Sequence, residues 1–155
     1  MLNPKGTKRA GASYEQLFAY ECMQRGMDPH IPLGDFLPHD ILVVNQAGNY
    51  FKVQVKGTGN ACKHKKTKNT ADRYSITAIR DVESHSTDSL DCAKVDVWAV
   101  YIQPVNQWYL IPCIDMDECI KGGRTLRFYP HTENGSRAIT EKYRNNWEVF
   151  KRWTQ

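Results

Sequence analysis

The chain has 155 residues, of which 41% are hydrophobic and 25% charged. That is the size and usage of one compact domain with its own core, and residues 1–155 are read as a single domain. No apolar run approaches the roughly 20 residues of a membrane span, and the polar start MLNPKGTKRAGASYEQ has no apolar stretch of a secretory signal. A cytoplasmic location and no membrane partner are the expectation.

Five cysteines (Cys22, Cys62, Cys92, Cys113 and Cys119) form no C-x-x-C. With an odd count and no export signal, reduced thiols are expected. Cys62-Lys63-His64 and the Cys113, Cys119 pair lack specific zinc spacing. Net charge is +4, mildly basic, and its distribution says more than its size. Between Lys52 and Arg73 lie seven cations and a single acid, Asp72. A second basic cluster, Lys5, Lys8 and Arg9, sits at the start, whereas Asp81 to Asp96 is acidic. One-sided basic surface suits a polyphosphate partner, although a solvated loop accounts for charge alone equally well.

In chain order, Ser13-Tyr14-Glu15-Gln16 has the form of a capping box, with a helix running to about Arg25 and stopping at Gly26; a start near Thr7 is also open. Tyr14, Leu17, Phe18 and Cys22 make its apolar stripe, with Glu15 at the edge. The stretch from Asp28 to Leu33 holds two prolines and allows a short strand at best. Asp40 to Asn45 and Tyr50 to Lys56 are the clearest strands, joined by the turn residues Gln46-Ala47-Gly48-Asn49. A basic loop follows to about Arg73. Tyr74 to Ile79 is a strand or a helix start. Val95 to Ile102 and Gln107 to Ile111 form a second hairpin around Pro104-Val105-Asn106. Met116 to Ile120 is a helical turn ended by Gly122-Gly123, and Thr125 to Tyr129 an edge strand. Ala138 to about Trp153 is expected as a last helix, since Ile139, Tyr143, Trp147 and Phe150 recur at helical spacing. Helix, paired strands, helix is an α/β layered arrangement.

The first hairpin is odd at one end. If Asn45 faces Tyr50, Asp40 falls opposite Val55, beside Gln54 and Lys56, which share a face of their strand. A carboxylate, an amide and an amine so placed are costly to bury without purpose. A salt bridge between Asp40 and Lys56 at the sheet's end is one reading. The other is a metal-dependent phosphodiesterase: Mg²⁺ takes hard oxygen ligands, here Asp40, the carbonyl of Val55, the amide oxygen of Gln54 and, from the preceding helix, Glu15. Lys56 would then position the attacking water.

These residues resemble the PD-(D/E)XK nuclease superfamily, whose core is a mixed β-sheet flanked by helices. The likeness rests on Lys5-Gly6, Glu15, Gly26, Pro32, Asp40, Val53-Gln54-Val55-Lys56, Asp96-Val97-Trp98-Ala99-Val100-Tyr101 and Trp108-Tyr109-Leu110-Ile111-Pro112. Within the superfamily it is most similar to the homing endonucleases of cyanobacterial group I introns, and more distantly to archaeal Holliday junction resolvases. The usual proline before the aspartate is replaced by His39, and the second acid by Gln54, as in the homing branch. The resemblance implies an α/β restriction-endonuclease-like fold and a Mg²⁺-dependent DNA endonuclease, with Mn²⁺ as a substitute. It implies Glu15, Asp40, Gln54 and Lys56 as catalytic residues, and Glu15, Asp40, Gln54 and Val55 around the metal. Site-specific cutting of duplex DNA is the first reading and junction resolution the second. Either acts on two strands, so a homodimer or higher symmetric oligomer is expected.

Lys63, Lys65, Lys66 and Lys68 would grip DNA phosphates beside the cut, with Lys5, Lys8, Arg9 and His39 as further contacts. Asp96 is expected to cap a loop or pair with a cation rather than to act as a third acid. Trp98, Tyr101, Trp108 and Tyr109 are expected in the core or at subunit contacts. Two rivals remain at this level: a non-catalytic DNA-binding protein on a decayed nuclease fold, and a protein-interaction domain.

Overall fold

The computed structural model describes residues 7–60, 73–78, 90–121, 123–130 and 139–151. Lys5, Lys63, Lys65, Lys66, Lys68 and Cys62 lie outside them. Helix α1 (Thr7–Gln24) leads into strands β1 (Asp28–His30), β2 (Ile41–Val44), β3 (Tyr50–Thr58), β4 (Tyr74–Thr77), β5 (Val97–Ile102) and β6 (Gln107–Pro112). Helix α2 (Met116–Ile120), strand β7 (Thr125–Phe128) and two 3₁₀ turns, Glu141–Tyr143 and Trp147–Lys151, follow. The central sheet has five strands in the order β1-β2-β3-β5-β6. Its β3–β5 pair is parallel and its other pairs antiparallel. It is therefore the mixed sheet expected, built from two hairpins laid side by side. β4 and β7 form a separate two-stranded sheet.

Each face of the central sheet has its own core. On one, Ile41, Val43, Val53, Val55, Val97, Ala99 and Leu110 pack with Phe18 and Cys22 of α1 and with Phe150. On the other, Val100, Ile102, Tyr109 and Ile111 pack with Met116 of α2 and with Ile76, Leu126 and Phe128 of the small sheet. Alternation in β2 and β3 thus yields one wholly buried face, while β5 and, after Gln107, β6, covered on both sides, are apolar runs. Trp98, Tyr101, Trp108 and Tyr109 are all buried in these cores.

Four sequence expectations are corrected. Ser13 does not cap α1: its hydroxyl donates back to the carbonyls of Arg9 and Ala10, 3.0 and 2.9 Å away, as a serine inside a helix does. The helix starts at Thr7 instead. The hairpin register differs by one residue. Asn45 accepts on Oδ1 from the N–H groups of Ala47 and Asn49, and its N–H donates to the Asn49 carbonyl. This widens the loop and pairs Ile41 with Val53 rather than Gln54, which puts both on the buried face.

The final helix is absent from residues 139–151. Tyr143 belongs to one core and Phe150 to the other, so the segment crosses the edge of β6, with Arg144 bridging to Tyr109. Asn145, left-handed at φ 49°, makes the break. A helix with one apolar stripe cannot serve both faces. Lastly, Cys92 and Cys113 are disulfide-bonded, with Cα atoms 5.5 Å apart. The turn before β5 and the end of β6 converge there, where Cys113 N–H donates to Asp96 O, a tertiary meeting that cysteine spacing does not reveal. Cys22 and Cys119 are free and buried.

Candidate active site

Of the sequence-derived site residues, Glu15, Asp40, Gln54, Val55 and Lys56 come together at the start of β2 and the second half of β3. Asp40 sits just before β2. Its N–H donates to the carbonyl of Val53 at 2.9 Å, although Val53 is the partner of Ile41. Two residues of one strand thus address one residue of the other, the count of a β-bulge, and a bulge re-aims a side chain. The carboxylate turns onto β3, where Oδ2 accepts from the Val55 N–H at 2.7 Å and from Gln54 Nε2 at 2.6 Å. The N–H and C=O of a strand residue face the same neighbour, so the Val55 carbonyl also looks toward Asp40.

Asp40 is therefore held by Val55 and Gln54, and Lys56 acts on it electrostatically. Burial pushes the Asp40 carboxyl above its ordinary range, and the charge of Asp35 adds to this. The Val55 N–H, Lys56 and His39 oppose the shift.

Glu15 reaches the same place from α1. Tyr14 lies flat over Gly57, where a Cβ would stand 2.3 Å from a ring carbon, and its hydroxyl donates to Gln103 Oε1 at 3.1 Å. Only glycine lets the helix lie this low over the end of β3. The next residue, Glu15, is then half-buried beside Lys56 of the neighbouring strand position. Its carboxyl is also raised, by burial first and then by Asp40 and Asp35, with Lys56 pulling the other way. Burial and the charge of Asp40 thus hold the proton on Glu15, and the two carboxyls, near a lysine, are oxygen donors of the kind a hard divalent cation takes.

A cavity of about 280 Å³ opens beside this cluster, lined by Gln54, Lys56, Pro38, Trp98 and Lys94 among others. His39 Nδ1 is buried next to Asp40 with no hydrogen-bond partner. Lys8 and Arg9 are exposed at the start of α1. Asp96 stands apart from the site: its Oδ2 accepts from the Lys52 N–H at 2.7 Å and its own N–H donates to Lys52 O, so it ties β5 to β3. Sequence reasoning missed Asp35, whose charge is felt by both Glu15 and Asp40. Its only sequence signal is a place in the proline-bounded loop leading into Asp40.

A carboxylate held on a bulge, an amide and a lysine alternating on the paired strand, and a helix carboxylate at the end of a mixed sheet are the marks of a nuclease-type α/β domain. A family model described as PD-(D/E)XK endonuclease matches residues 5–150, nearly the whole chain, and the protein belongs to that family of DNA endonucleases. Among solved structures, the bacterial homing endonuclease I-Ssp6803I superposes with a TM-score of 0.69 at 21% identity, over 95% of each chain. At that identity the match speaks for the fold. No curated protein matches the sequence.

Proposed function

We propose that the protein is a Mg²⁺-dependent endonuclease that hydrolyses phosphodiester bonds in duplex DNA at specific sites, as a symmetric oligomer with one active site per strand. The observation that carries this reading is the Asp40 carboxylate fixed to β3 through Val55 N–H and Gln54, with Glu15 and Lys56 within electrostatic reach. Asp40, Glu15 and the Val55 carbonyl would hold the cation, and Gln54, whose Nε2 is spent on Asp40, would offer Oε1. A divalent ion there supplies positive charge to the phosphate and acidifies water. Lys56 orients the attacking water and offsets charge building on the phosphate oxygens. His39 Nδ1 gives a phosphate oxygen a partner. Lys8, Arg9 and, by sequence, Lys5, Lys63, Lys65, Lys66 and Lys68 hold the backbone on either side.

Site-specific, homing-type cutting is supported by the likeness to I-Ssp6803I and by the amide at position 54. The intact set Glu15, Asp40 and Lys56 weighs against a decayed, non-catalytic fold. The test is cleavage of plasmid duplex and of a synthetic four-way junction with Mg²⁺ or Mn²⁺ against EDTA. Metal-dependent cutting of the duplex is expected. It should fall by about 10³-fold in Asp40→Asn and Lys56→Ala, the loss that follows removal of one electrostatic group at a reacting phosphate or carbonyl. Preference for the junction would transfer the assignment to a resolvase. Equal DNA binding by all three proteins with no cutting would transfer it to a binding protein.

A further inference from the structure

The segment Ile31-Pro32-Leu33-Gly34-Asp35-Phe36-Leu37-Pro38 carries four large apolar side chains, and all are exposed: Leu33 98%, Phe36 91%, Ile31 and Leu37 53% each. Single exposed leucines are common on protein surfaces, whereas a run of them on one loop marks a contact surface. The loop is built rather than slack. Proline stands at Pro32 and Pro38, and Gly34 adopts φ +85°. The Phe36 ring lies over Gly34 so closely that a Cβ there would be 2.6 Å from it, which sets the ring at the loop's tip.

The loop also borders the site. It spans from the end of β1 to Asp40, and Pro38 lines the cavity shared with Gln54 and Lys56. At most about 14 Å of chain separates Phe36 from Asp40. A duplex whose phosphate lies at Asp40 therefore passes within a few base pairs of Phe36, given a rise of about 3.4 Å per pair. Apolar side chains cannot bond phosphates. What a duplex offers them is the faces of its bases, and Phe and Leu are among the residues that part base steps.

We propose, resting on the endonuclease reading above, that Leu33 and Phe36 form a wedge that enters the base stack beside the scissile phosphate, and that opening this step seats the phosphate at Asp40. The wedge makes the step's deformability part of target choice, so pyrimidine–purine steps should be favoured next to the cut. Asp35, between the two wedge residues, bears on the charge of Glu15 and Asp40, which agrees with a loop tip that faces the site.

The experiment maps the wild-type cleavage site on plasmid DNA and rebuilds it as a short duplex with a fluorescent purine analogue at each step near the cut. Binding in Ca²⁺ should raise fluorescence at one step with wild type and not with the double variant Leu33→Ala, Phe36→Ala. Cleavage by the double variant in Mg²⁺ should drop about 100-fold, the scale of a misplaced reacting group. A mismatch at the opened step should restore it to within a few-fold of wild type, which also shows that the variant is folded, and Phe36→Leu should keep most activity. Variants that cut as fast as wild type, or that a mismatch does not rescue, overturn the wedge. So does a change in solution mass with unchanged cutting, which would make the loop a contact between copies. If wild type cuts no DNA with Mg²⁺, the endonuclease reading fails separately, and permanganate probing of thymines in supercoiled plasmid decides the wedge. A reactive thymine present with wild type and lost in the double variant supports it, and its absence overturns it.

Discussion

Glu15 shows what the site costs when no cation is present. A carboxyl whose folded value is raised binds a proton in the fold at a pH where the unfolded chain has lost it, so stability falls as pH rises from the ordinary carboxylate value through the raised one. Glu15 and Asp40 are both raised, each by burial first, so both contribute this sign. Glu15→Gln should therefore make the protein more stable at pH 7 in EDTA. The gain should stay below about 1 kcal/mol, because a half-exposed carboxylate is screened by water. It should vanish below the ordinary glutamate range, where Glu15 is protonated in both states. Urea midpoints at pH 7 and pH 3 measure it. The same variant should lose Mg²⁺-dependent cleavage, so stability and activity move in opposite directions. A Glu15→Gln protein that is less stable at pH 7 would mean that Lys56 dominates the Glu15 environment.

Among the elements, the height of α1 over the end of β3 is set where Tyr14 meets Gly57. A methyl at position 57 would overlap the Tyr14 ring, and overpacking of this kind costs about 1–3 kcal/mol. Gly57→Ala should lower thermal stability by that much and lift the helix, carrying Glu15 off the site. Cleavage should then fall further than the lost folded fraction explains, and Tyr14→Ala in the same protein should recover part of the stability. The turn that sets the β2–β3 register is a second such point. Asn45 accepts two backbone N–H groups within its loop and donates Nδ2 to Phe150 O at 2.7 Å. Asn45→Ala leaves these groups without partners, at about 1–3 kcal/mol, read from urea midpoints.

How far the sequence shows these features depends on whether their cause is local. The strands β2, β3, β5 and β6 are legible because alternation and apolar runs are read over a few residues. So is the cluster Asp40, Gln54, Val55 and Lys56, which sits on one hairpin. Its register is not legible, because Asn45 sets it with hydrogen bonds from its side chain. Nor is the end of the chain, where Tyr143 and Phe150 show helical spacing but serve opposite faces of the sheet.

For the molecule as a whole, the Cys92–Cys113 bond is the feature least expected from the sequence. It closes a loop around β5 and β6, the two strands that carry both cores. Closing a loop of some 20 residues in the unfolded chain contributes about 3 kcal/mol. Its ends lie where the β6 terminus meets the turn before β5, and Cys113 also lines the cavity beside Gln54 and Lys56. Cys92→Ser or treatment with a thiol reductant should thus lower the urea midpoint by an amount worth about 3 kcal/mol. The fold should survive, because the β3–β5 and β5–β6 ladders and both cores are formed without the bond. A peptide map without reductant should return Cys92 and Cys113 in one linked pair, while Cys22 and Cys119, buried and free, react with a thiol reagent only after unfolding. Cleavage measured at equal folded fraction should change little, since the bond touches neither Asp40 nor Glu15. If reduction leaves the midpoint unmoved and the map shows no linked pair, the two thiols face each other unbonded, and the stability of this sheet comes from its two cores alone.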